Sequence, residues 1–348
     1  MKLKSLKTAY LNISGNFYPN DYINLARVED NKIAFNDSTL FLNKELKEVL
    51  NQDKIKRFED VVVIFKLENS WGVICNILIK DYKEKKILCH ELVLSDVIQR
   101  MLSNFHNYNS EANPVILLHN KKLNLEEFVD KNKEEYKIEK EELKLYVYSQ
   151  EKAKDIILKL EENEHFYIAD GHHRLYSTSL YFEKETVMSC IYEMEEINIE
   201  AIPRKIENIT QEKYLEIIEK IKNKFIMLDN TKKLEKGEVR LYYKKNILTF
   251  KLLEISGDLF SNNDIYRLNT QVISDIFRIF KDDGVKFLSI KELKKELLNQ
   301  ETNDIYLETA AMDKFEFMKT IENGNIMPPK STYFKPKFPS FLVFNTFK

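Results

Sequence analysis

Two apolar runs separated by a polar pair give the chain its clearest pattern. VVVIFKLE at 61–68 and WGVICNILIKDY at 71–82 are rich in β-branched residues, and Asn69 and Ser70 lie between them. Apolar runs on either side of a short polar turn are typical of a β-hairpin. The sequence therefore predicts a sheet that begins with these two strands.

Helical and extended patterns alternate after this hairpin. A helix is predicted where apolar residues recur at helical spacing, at Val97, Ile98, Met101, Leu102 and Phe105. Glu and Lys dominate 121–142, which favours a solvated helix, and EKAKDIILKLEEN predicts another helix. Strand-like runs follow the same criteria at 113–119, 143–149, 165–170 and 187–194. The alternation indicates a fold of the α+β class with mixed strands and helices.

The second half of the chain repeats this mixture. EKYLEIIEKIKNKF is helical in pattern, and VRLYYKKNILTFKLLE at 239–254 predicts a hairpin with Asn246 near its turn. We expect two domains, at 1–204 and 205–348, the second an α/β subdomain.

Composition narrows the class of protein. The chain has 348 residues, of which 43% are hydrophobic and 32% charged, and its formal net charge is -2. These values exclude a disordered chain and a generally basic nucleic-acid binder, so no nucleic-acid partner is expected. The three cysteines, odd in number and without a CxxC pair, suggest neither a disulfide framework nor a thiolate zinc site.

Location is predicted from what the sequence lacks. No apolar run approaches the roughly 18 residues of a membrane span, and the start lacks the apolar stretch of a signal peptide. We expect a cytoplasmic protein with no membrane partner, as a monomer or small homo-oligomer.

The strongest local signal is FYIADGHHRLYSTS at 166–179, where a strand runs into a tight turn and a helix. Gly171 permits the turn, and the free N–H groups at the helix start favour an anion. His172, His173 and Arg174 add hydrogen-bond donors, which makes phosphate the expected guest. The alternative is that Asp170 only caps the helix and the histidines lie on the surface.

A metal at this turn is predicted to be magnesium. Adjacent histidines point in different directions on a helix and do not form the paired ligands of an HExxH zinc site. Asp170 is a candidate Mg²⁺ ligand beside substrate phosphates, because magnesium takes few protein ligands and keeps several waters.

Two further segments are weaker candidates. Glu91, after His90, is either a general base or a glutamate at a helix N-terminus. MPPKST at 327–332 has paired prolines that either present Lys330 to an anion or wrap over the core. The basic KPK that follows, 335–337, is interpreted as a solvated face.

Common catalytic motifs are absent from the sequence. It contains no GxxxxGK[ST] loop, no GxGxxG after a strand and no GxSxG elbow. An ordinary P-loop, a dinucleotide fold and a serine hydrolase are therefore not supported.

Three separated motifs together carry a family resemblance. CHE at 89–91, IADGHHR at 168–174 and NGNIMPPKSTYFKPKFPSFLVFN at 323–345 occur in this order. In this arrangement the chain resembles a widespread family catalogued as a domain of unknown function, which is similar to the free L-serine kinases of the ParB/sulfiredoxin superfamily. The resemblance covers about 60 to 348, and the first 60 residues match poorly. It implies a ParB/sulfiredoxin-like core and an active site in the cleft between two subdomains.

The resemblance also implies roles for individual residues. Glu91 matches the catalytic base that acts on the serine hydroxyl. The residues Asp170, Gly171, His172, His173 and Arg174 match those that gather phosphates, metal and serine, with Asp170 and His172 counted as catalytic. Lys330, Ser331 and Thr332 match a C-terminal loop that closes on the same site, and Arg204 matches a family arginine.

The implied activity is phosphorylation of free L-serine to O-phospho-L-serine, with Mg²⁺ as cofactor. Phosphoryl transfer requires positive charge, which His172, His173, Arg174 and Lys330 are expected to supply, and a base for the hydroxyl proton. The missing glycine-rich loop favours pyrophosphate as donor over ADP or ATP. The alternatives are a nucleotide-binding ParB-like regulatory module and a sulfiredoxin-like redox enzyme that uses Cys190.

Overall fold

The computed structural model describes residues 1–18, 25–35, 42–140, 142–255, 257–281, 284–299, 301–328 and 330–348. Its strands, numbered in chain order, are β1 (Leu3–Lys4), β2 (Leu6–Asn12), β3 (Leu25–Ala26), β4 (Val28–Glu29), β5 (Lys32–Ile33), β6 (Ile55–Leu67), β7 (Ser70–Leu78), β8 (Ile87–Leu88), β9 (Ser110–Glu111), β10 (Val115–His119), β11 (Tyr136–Lys140), β12 (Leu143–Ser149), β13 (Phe166–Asp170), β14 (Thr186–Glu193), β15 (Asn198–Glu200), β16 (Arg204–Ile206), β17 (Ile226–Leu228), β18 (Glu238–Tyr243), β19 (Asn246–Lys251), β20 (Lys286–Phe287), β21 (Ile305–Thr309), β22 (Tyr333–Lys335) and β23 (Val343–Thr346).

The helices connect these strands. They are α1 (Lys44–Gln52), α2 (Ile79–Lys83), α3 (Ser95–Phe105), α4 (Leu125–Lys131), α5 (Gln150–Glu161), α6 (His172–Leu180), α7 (Gln211–Lys224), α8 (Asp264–Arg267), α9 (Ile290–Glu296) and α10 (Lys314–Glu322), with a 3₁₀ turn at Met194–Glu196 and a π-helix at Leu268–Ser274. None of the helices in the described ranges is long and apolar enough to cross a membrane.

The chain divides into two compact units. The first contains residues 1–89, 93–198 and 336–348, and the second contains 90–92 and 199–335. The expected single boundary at 204/205 differs from this division at 90–92, at 199–204 and in the C-terminal segment. That segment joins the first unit because β23 pairs antiparallel with β2 and with β9.

The first unit is built on one large mixed sheet. Its main strand order is β3-β9-β23-β2-β6-β7-β14-β10-β13-β8, and β12 adds to β6. Most neighbours are antiparallel, whereas β10 runs parallel to β14 and β13 parallel to β8. The apolar run in β6 is buried on both sides of the sheet, since Val61, Val62, Val63, Ile64 and Phe65 are fully covered. Burial on both faces explains why this strand is continuously apolar.

Helices cover one face of this sheet through matched apolar stripes. Ala153, Ile156 and Leu160 of α5 recur at helical spacing and join the core cluster that contains Val62 and Ile64 of β6. Leu175 of α6 belongs to the same cluster. The helix that follows β13 is thereby fixed on the sheet by its buried side.

The second unit has its own sheet and core. Its six strands are ordered β17-β19-β18-β21-β16-β20, and the pairs of known register are antiparallel. The apolar face of α7, with Tyr214, Ile217 and Ile221, packs into the cluster that contains Leu241 and Phe250. Each unit thus buries a separate hydrophobic core.

The α+β class is confirmed, and the errors in the predicted elements are local. The first hairpin forms, but its second strand ends at Leu78, and the predicted strand residues 79–82 lie in α2. The segment 121–142 contains only the short helix α4 among its described residues, and β11 follows as a strand paired with β12. In β11 the exposed Lys137 and Glu139 alternate with the half-buried Tyr136 and Ile138 at a sheet edge, where charged residues are tolerated.

A buried ion pair fastens the last strand of the first unit. Nζ of Lys184 lies 2.5 Å from Oε1 of Glu111, and both side chains are at most 5% exposed. Oε2 of Glu111 accepts hydrogen bonds from the backbone N–H of Met188 and from Nδ2 of Asn345 in β23. Burial lowers the pKa of Lys184, and Glu111 opposes that shift.

We expect Lys184→Met to destabilise the protein strongly, because Glu111 is then left buried without its cation. Removing one partner of a buried pair costs about 3–5 kcal/mol in the free energy of unfolding, which urea denaturation measures. The control is Lys154→Met, which removes an exposed lysine paired with Glu151 and should change stability little. Equal losses in the two variants would show that the buried pair has no special role.

Candidate active site

The glycine at the start of α6 is required by geometry on two counts. Gly171 has φ +95°, a conformation that side chains rarely adopt, and it is the N-cap residue of α6. A Cβ atom at this position would lie 2.8 Å from Nε of Arg174. The backbone at Gly171 therefore lies directly against the guanidinium of Arg174, three residues later in α6.

Asp170 ends β13 and is held by two cations. Its Oδ2 lies 2.5 Å from an Nη of Arg174, and its Oδ1 lies 3.2 Å from Nζ of Lys337. Burial alone would raise the pKa of Asp170, but these two cations outweigh burial and lower it. The carboxylate is therefore ionised at neutral pH. The alternative that Asp170 merely caps the helix is not supported, because α6 has no side-chain cap.

Arg174 is a buried anchor in the first unit. One Nη donates to Asp170, and the other donates to the backbone oxygen of Asn113 at 3.2 Å. Its side chain is 10% exposed, and burial lowers its pKa. The sequence predicts a forked donor for an anion, whereas these contacts use the fork to orient Asp170.

The two histidines have different environments. His172 is buried, and burial lowers its pKa to about 4. It is neutral at pH 7 and offers a donor or a lone pair, so the positive charge expected from it is not present. His173 is half-buried, and its Nε2 accepts a hydrogen bond from the backbone N–H of Leu94 at 2.9 Å. That bond fixes the orientation of the ring before α3.

Lys337 is a site residue that sequence reasoning misses. The expected solvated face at 335–337 is wrong for this residue, because the side chain of Lys337 is only 23% exposed and contacts Asp170. Its neighbours hold it in place: the Pro336 oxygen accepts a bond from Tyr192, and Phe338 packs on Phe65. The signal available in the sequence is the prolines and phenylalanines that flank Lys337 in FKPKFPSF.

Glu91 and the KST loop lie in the second unit, where His90 links them. The backbone N–H of Met327 donates to the oxygen of His90 at 2.7 Å, and Nε2 of His90 lies 3.3 Å from Oγ1 of Thr332. The His90 ring packs edge-on against Phe317 at 5.0 Å. Glu91 is 25% exposed, with its Oε1 3.9 Å from Nε2 of His90. Because α3 begins four residues later, Glu91 is not in the first turn of a helix.

Arg204 supports the backbone of the same loop. It is 1% exposed, and its guanidinium donates to the backbone oxygens of Ile202 and Lys330. The guanidinium also lies 5.4 Å from the ring centroid of Phe287. Burial lowers the pKa of Arg204 to about 10, so it stays protonated at neutral pH. Its contacts are those of a residue that positions Lys330.

The loop itself presents one exposed cation. Lys330 has φ +59° and an exposed side chain, while Ser331 is buried and donates to the oxygen of Pro328 at 2.6 Å. Ser331 also lines a cavity of about 360 Å³ within the second unit, together with Asn263 and Thr309. Pro329 of the paired prolines lies outside the described residues.

The environment of Cys190 does not support the alternative of a sulfiredoxin-like redox enzyme. Cys190 is completely buried in β14, and burial raises the pKa of its thiol well above the usual range. A reactive cysteine needs a stabilised thiolate and access to its partner. Cys190 has neither.

Asp170 is the expected ligand of Mg²⁺, and its carboxylate is ionised. Carboxylate oxygen is the ligand that Mg²⁺ prefers. Both oxygens of Asp170 are already engaged, Oδ2 by Arg174 and Oδ1 by Lys337, and these contacts place two positive charges beside the carboxylate. A divalent cation would be repelled there, so this turn does not fit the expected metal.

Comparison with known proteins gives a family match and several remote structural likenesses. A family model described as "Protein of unknown function (DUF1015)" matches residues 23–271. No curated protein matches the chain significantly.

Solved structures resemble the chain only weakly. A free serine kinase in complex with AMP is 12% identical, with a TM-score of 0.40 over 80% of this chain and 93% of the other. SbnI with a C-terminal truncation, from Staphylococcus aureus, is 10% identical, with a TM-score of 0.44 over 78% and 86%. A conserved hypothetical protein from Pyrococcus furiosus is 14% identical, with a TM-score of 0.40 over 77% and 93%. At these TM-scores the likenesses assign neither substrate nor chemistry to this chain.

We expect Gly171→Ala to destabilise the first unit more than backbone strain alone explains. The control is Gly324→Ala, since Gly324 has φ +74° and no atom lies within 4 Å of the place its Cβ would take. The control should lose about 1 kcal/mol from strain, and Gly171→Ala about 1–3 kcal/mol more because the methyl group displaces Arg174. Denaturant unfolding measures both, and matching losses would contradict the close-approach argument.

Proposed function

The chain belongs to the family described as a protein of unknown function (DUF1015), and from that premise we propose that it phosphorylates free L-serine to O-phospho-L-serine. Pyrophosphate is the proposed donor, and Mg²⁺ the cofactor. The observation that carries the proposal is the ionised Asp170, fixed at a glycine-initiated helix start between Arg174 and Lys337. The order of the CHE, IADGHHR and MPPKST motifs supports the choice of serine as acceptor.

The proposed reaction follows the usual requirements of phosphoryl transfer. The protein must orient donor and acceptor and place positive charge around the transferred group. The serine hydroxyl oxygen forms the new bond to phosphorus while the bond to the bridging oxygen of pyrophosphate breaks, and phosphate leaves. The hydroxyl proton passes to the carboxylate of Glu91.

The other residues have supporting roles in this proposal. The α6 N-terminus, from Gly171 to His173, binds phosphate oxygens in this proposal, and the N–H of neutral His172 donates one hydrogen bond. Lys330 brings an exposed ammonium, held by Arg204 through the backbone contact described above. Ser331 and Thr332 complete the loop. Mg²⁺, the proposed cofactor, would neutralise charge that develops on the phosphate oxygens.

A parallel assay of donors tests this function. Purified protein with L-serine and Mg²⁺ is offered pyrophosphate, ADP or ATP, and phosphoserine is measured by mass spectrometry. We expect phosphoserine with pyrophosphate, because the sequence contains no glycine-rich nucleotide loop. Product with ADP or ATP alone would replace the donor and keep the acceptor. No phosphoserine from any donor would refute the function.

We expect Glu91→Gln to lower kcat by about 10²- to 10⁴-fold, the usual contribution of a general base, with little change in pyrophosphate binding. Glutamine keeps the shape of the side chain but does not accept the proton. Glu219→Gln is the matched control, because Glu219 is an exposed residue of α7 in the same unit. A Glu91→Gln enzyme with unaltered kcat would remove Glu91 from the role of base.

A further inference from the structure

The cavity within the second unit has the lining of a site for a small organic molecule. Its volume is about 360 Å³, and most of its wall surface is apolar, with Leu234, Ile265 and Met312 among the residues that form it. Asn263 and Thr309 line the same cavity, although they are only 1% and 3% exposed. Apolar walls with a few polar groups are typical of small-molecule sites.

The two polar residues of the wall each have a group without a hydrogen-bond partner. Oδ1 of Asn263 accepts from the backbone N–H groups of Ile265 and Tyr266 and so caps α8, which leaves Nδ2 for another contact. Within the described ranges, neither Nδ2 of Asn263 nor Oγ1 of Thr309 has a partner. A buried polar group in this state is unfavourable. A ligand with an accepting oxygen would supply the missing partner.

The charged residues of the wall favour a neutral ligand. Those with partners are Asp264, which pairs with Arg267, Lys236, which pairs with Glu316, and Asp313, which caps α10. The other charged residues of the described wall, Lys233 and Glu235, are exposed and opposite in sign. A charged ligand would therefore lose hydration without gaining a buried counter-charge.

Existing contacts hold the walls of the cavity in place. Nζ of Lys236 lies 2.8 Å from Oε1 of Glu316, which ties the loop at 233–236 to α10. The backbone N–H of Gly237, next in the chain, donates to Oδ2 of Asp264 in α8 at 2.8 Å. Because these segments are already fixed, a ligand would bind without the entropic cost of ordering them.

We propose that this cavity binds a small neutral organic molecule, a ketone or an amide, whose carbonyl oxygen accepts hydrogen bonds from Asn263 and Thr309. The inference does not rest on the proposed phosphoryl transfer. Because Ser331 of the KST loop also lines the cavity, the bound molecule would lie beside the loop that carries Lys330.

The test uses cyclohexanone as the probe, with the full chain, and follows the ¹³C-labelled methyl group of Met312 by NMR. The chain has eight methionines, and Met312→Leu identifies the signal of this one. We expect a saturable shift of the Met312 signal, with the millimolar Kd that is usual for a ligand of few atoms. The signal of Met188, buried in the first unit, should not move.

Two variants remove the donors and keep the shapes of the side chains. Thr309→Val replaces the hydroxyl by a methyl group, and Asn263→Asp keeps an oxygen to cap α8 but removes the amide N–H groups. Each should weaken cyclohexanone binding at least about three- to tenfold, the effect of losing one neutral hydrogen bond.

A matched control and a folding check make this result specific. Thr320→Val is the control, because Thr320 is 1% exposed, donates to the backbone oxygen of Glu316 and is not among the residues that line the cavity. It should leave Kd unchanged. Denaturant unfolding identifies a variant that fails to fold, and Thr309→Val, which removes an unpaired hydroxyl, should be as stable as wild type.

Charged relatives of the probe test the class of ligand. Cyclohexanecarboxylate and cyclohexylammonium carry the same ring with a negative or a positive charge, and both should bind more weakly than cyclohexanone. Tighter binding of either ion would overturn the inference of a neutral ligand. The site itself would be overturned if cyclohexanone left the Met312 signal unmoved, or if both donor variants bound cyclohexanone as tightly as wild type.

Discussion

The ionised carboxylate of Asp170 is the point on which the first unit's candidate site depends. Strand β13 delivers it, Arg174 of α6 fixes one oxygen, and Lys337 of the returning C-terminal segment fixes the other. Removing any of the three would leave a partly buried charge without its partner, which is unfavourable in a medium of low polarity. The end of β13, the start of α6 and the C-terminal segment are therefore held together by one charged group.

The same constraint explains why the local sequence is so restricted. The guanidinium of Arg174 lies where a side chain at position 171 would project, so the turn requires glycine for space as well as for its φ of +95°. Antiparallel pairing of β13 with β10 changes register between Ile116, which is paired with Asp170, and Leu117, which is paired with Ile168. Irregular pairing of this kind re-aims a side chain at the end of a strand.

The sequence pattern predicts the helices and strands that bury an apolar face. It does not predict the elements and side-chain contacts that depend on tertiary packing. The strands β6, β12, β13 and β14 follow from their apolar and aromatic runs, and α5 follows from its apolar spacing. The strand β11 escapes prediction because its Lys and Glu residues match a solvated helix as well as an exposed edge strand. For the site, residue type and motif order point to Asp170 and Glu91, but burial decides protonation, and it makes His172 neutral. Lys337 escapes prediction because its partner is 167 residues away in sequence.

Two of the predicted site residues, Arg174 and Arg204, are buried and support other residues, whereas other site residues are proposed to contact substrate. Arg174 and Arg204 both lie in the protein interior and both donate to backbone oxygens, those of Asn113 and Lys330 respectively. A guanidinium so engaged stiffens a loop with charge-assisted hydrogen bonds and has few donors left for a ligand. Phosphoryl transfer depends on such stiffness, because small displacements of the charged groups weaken their action on the transferred phosphate. Lys330, the exposed lysine on the loop that Arg204 supports, is then a cation whose side chain is left available for the proposed phosphate donor.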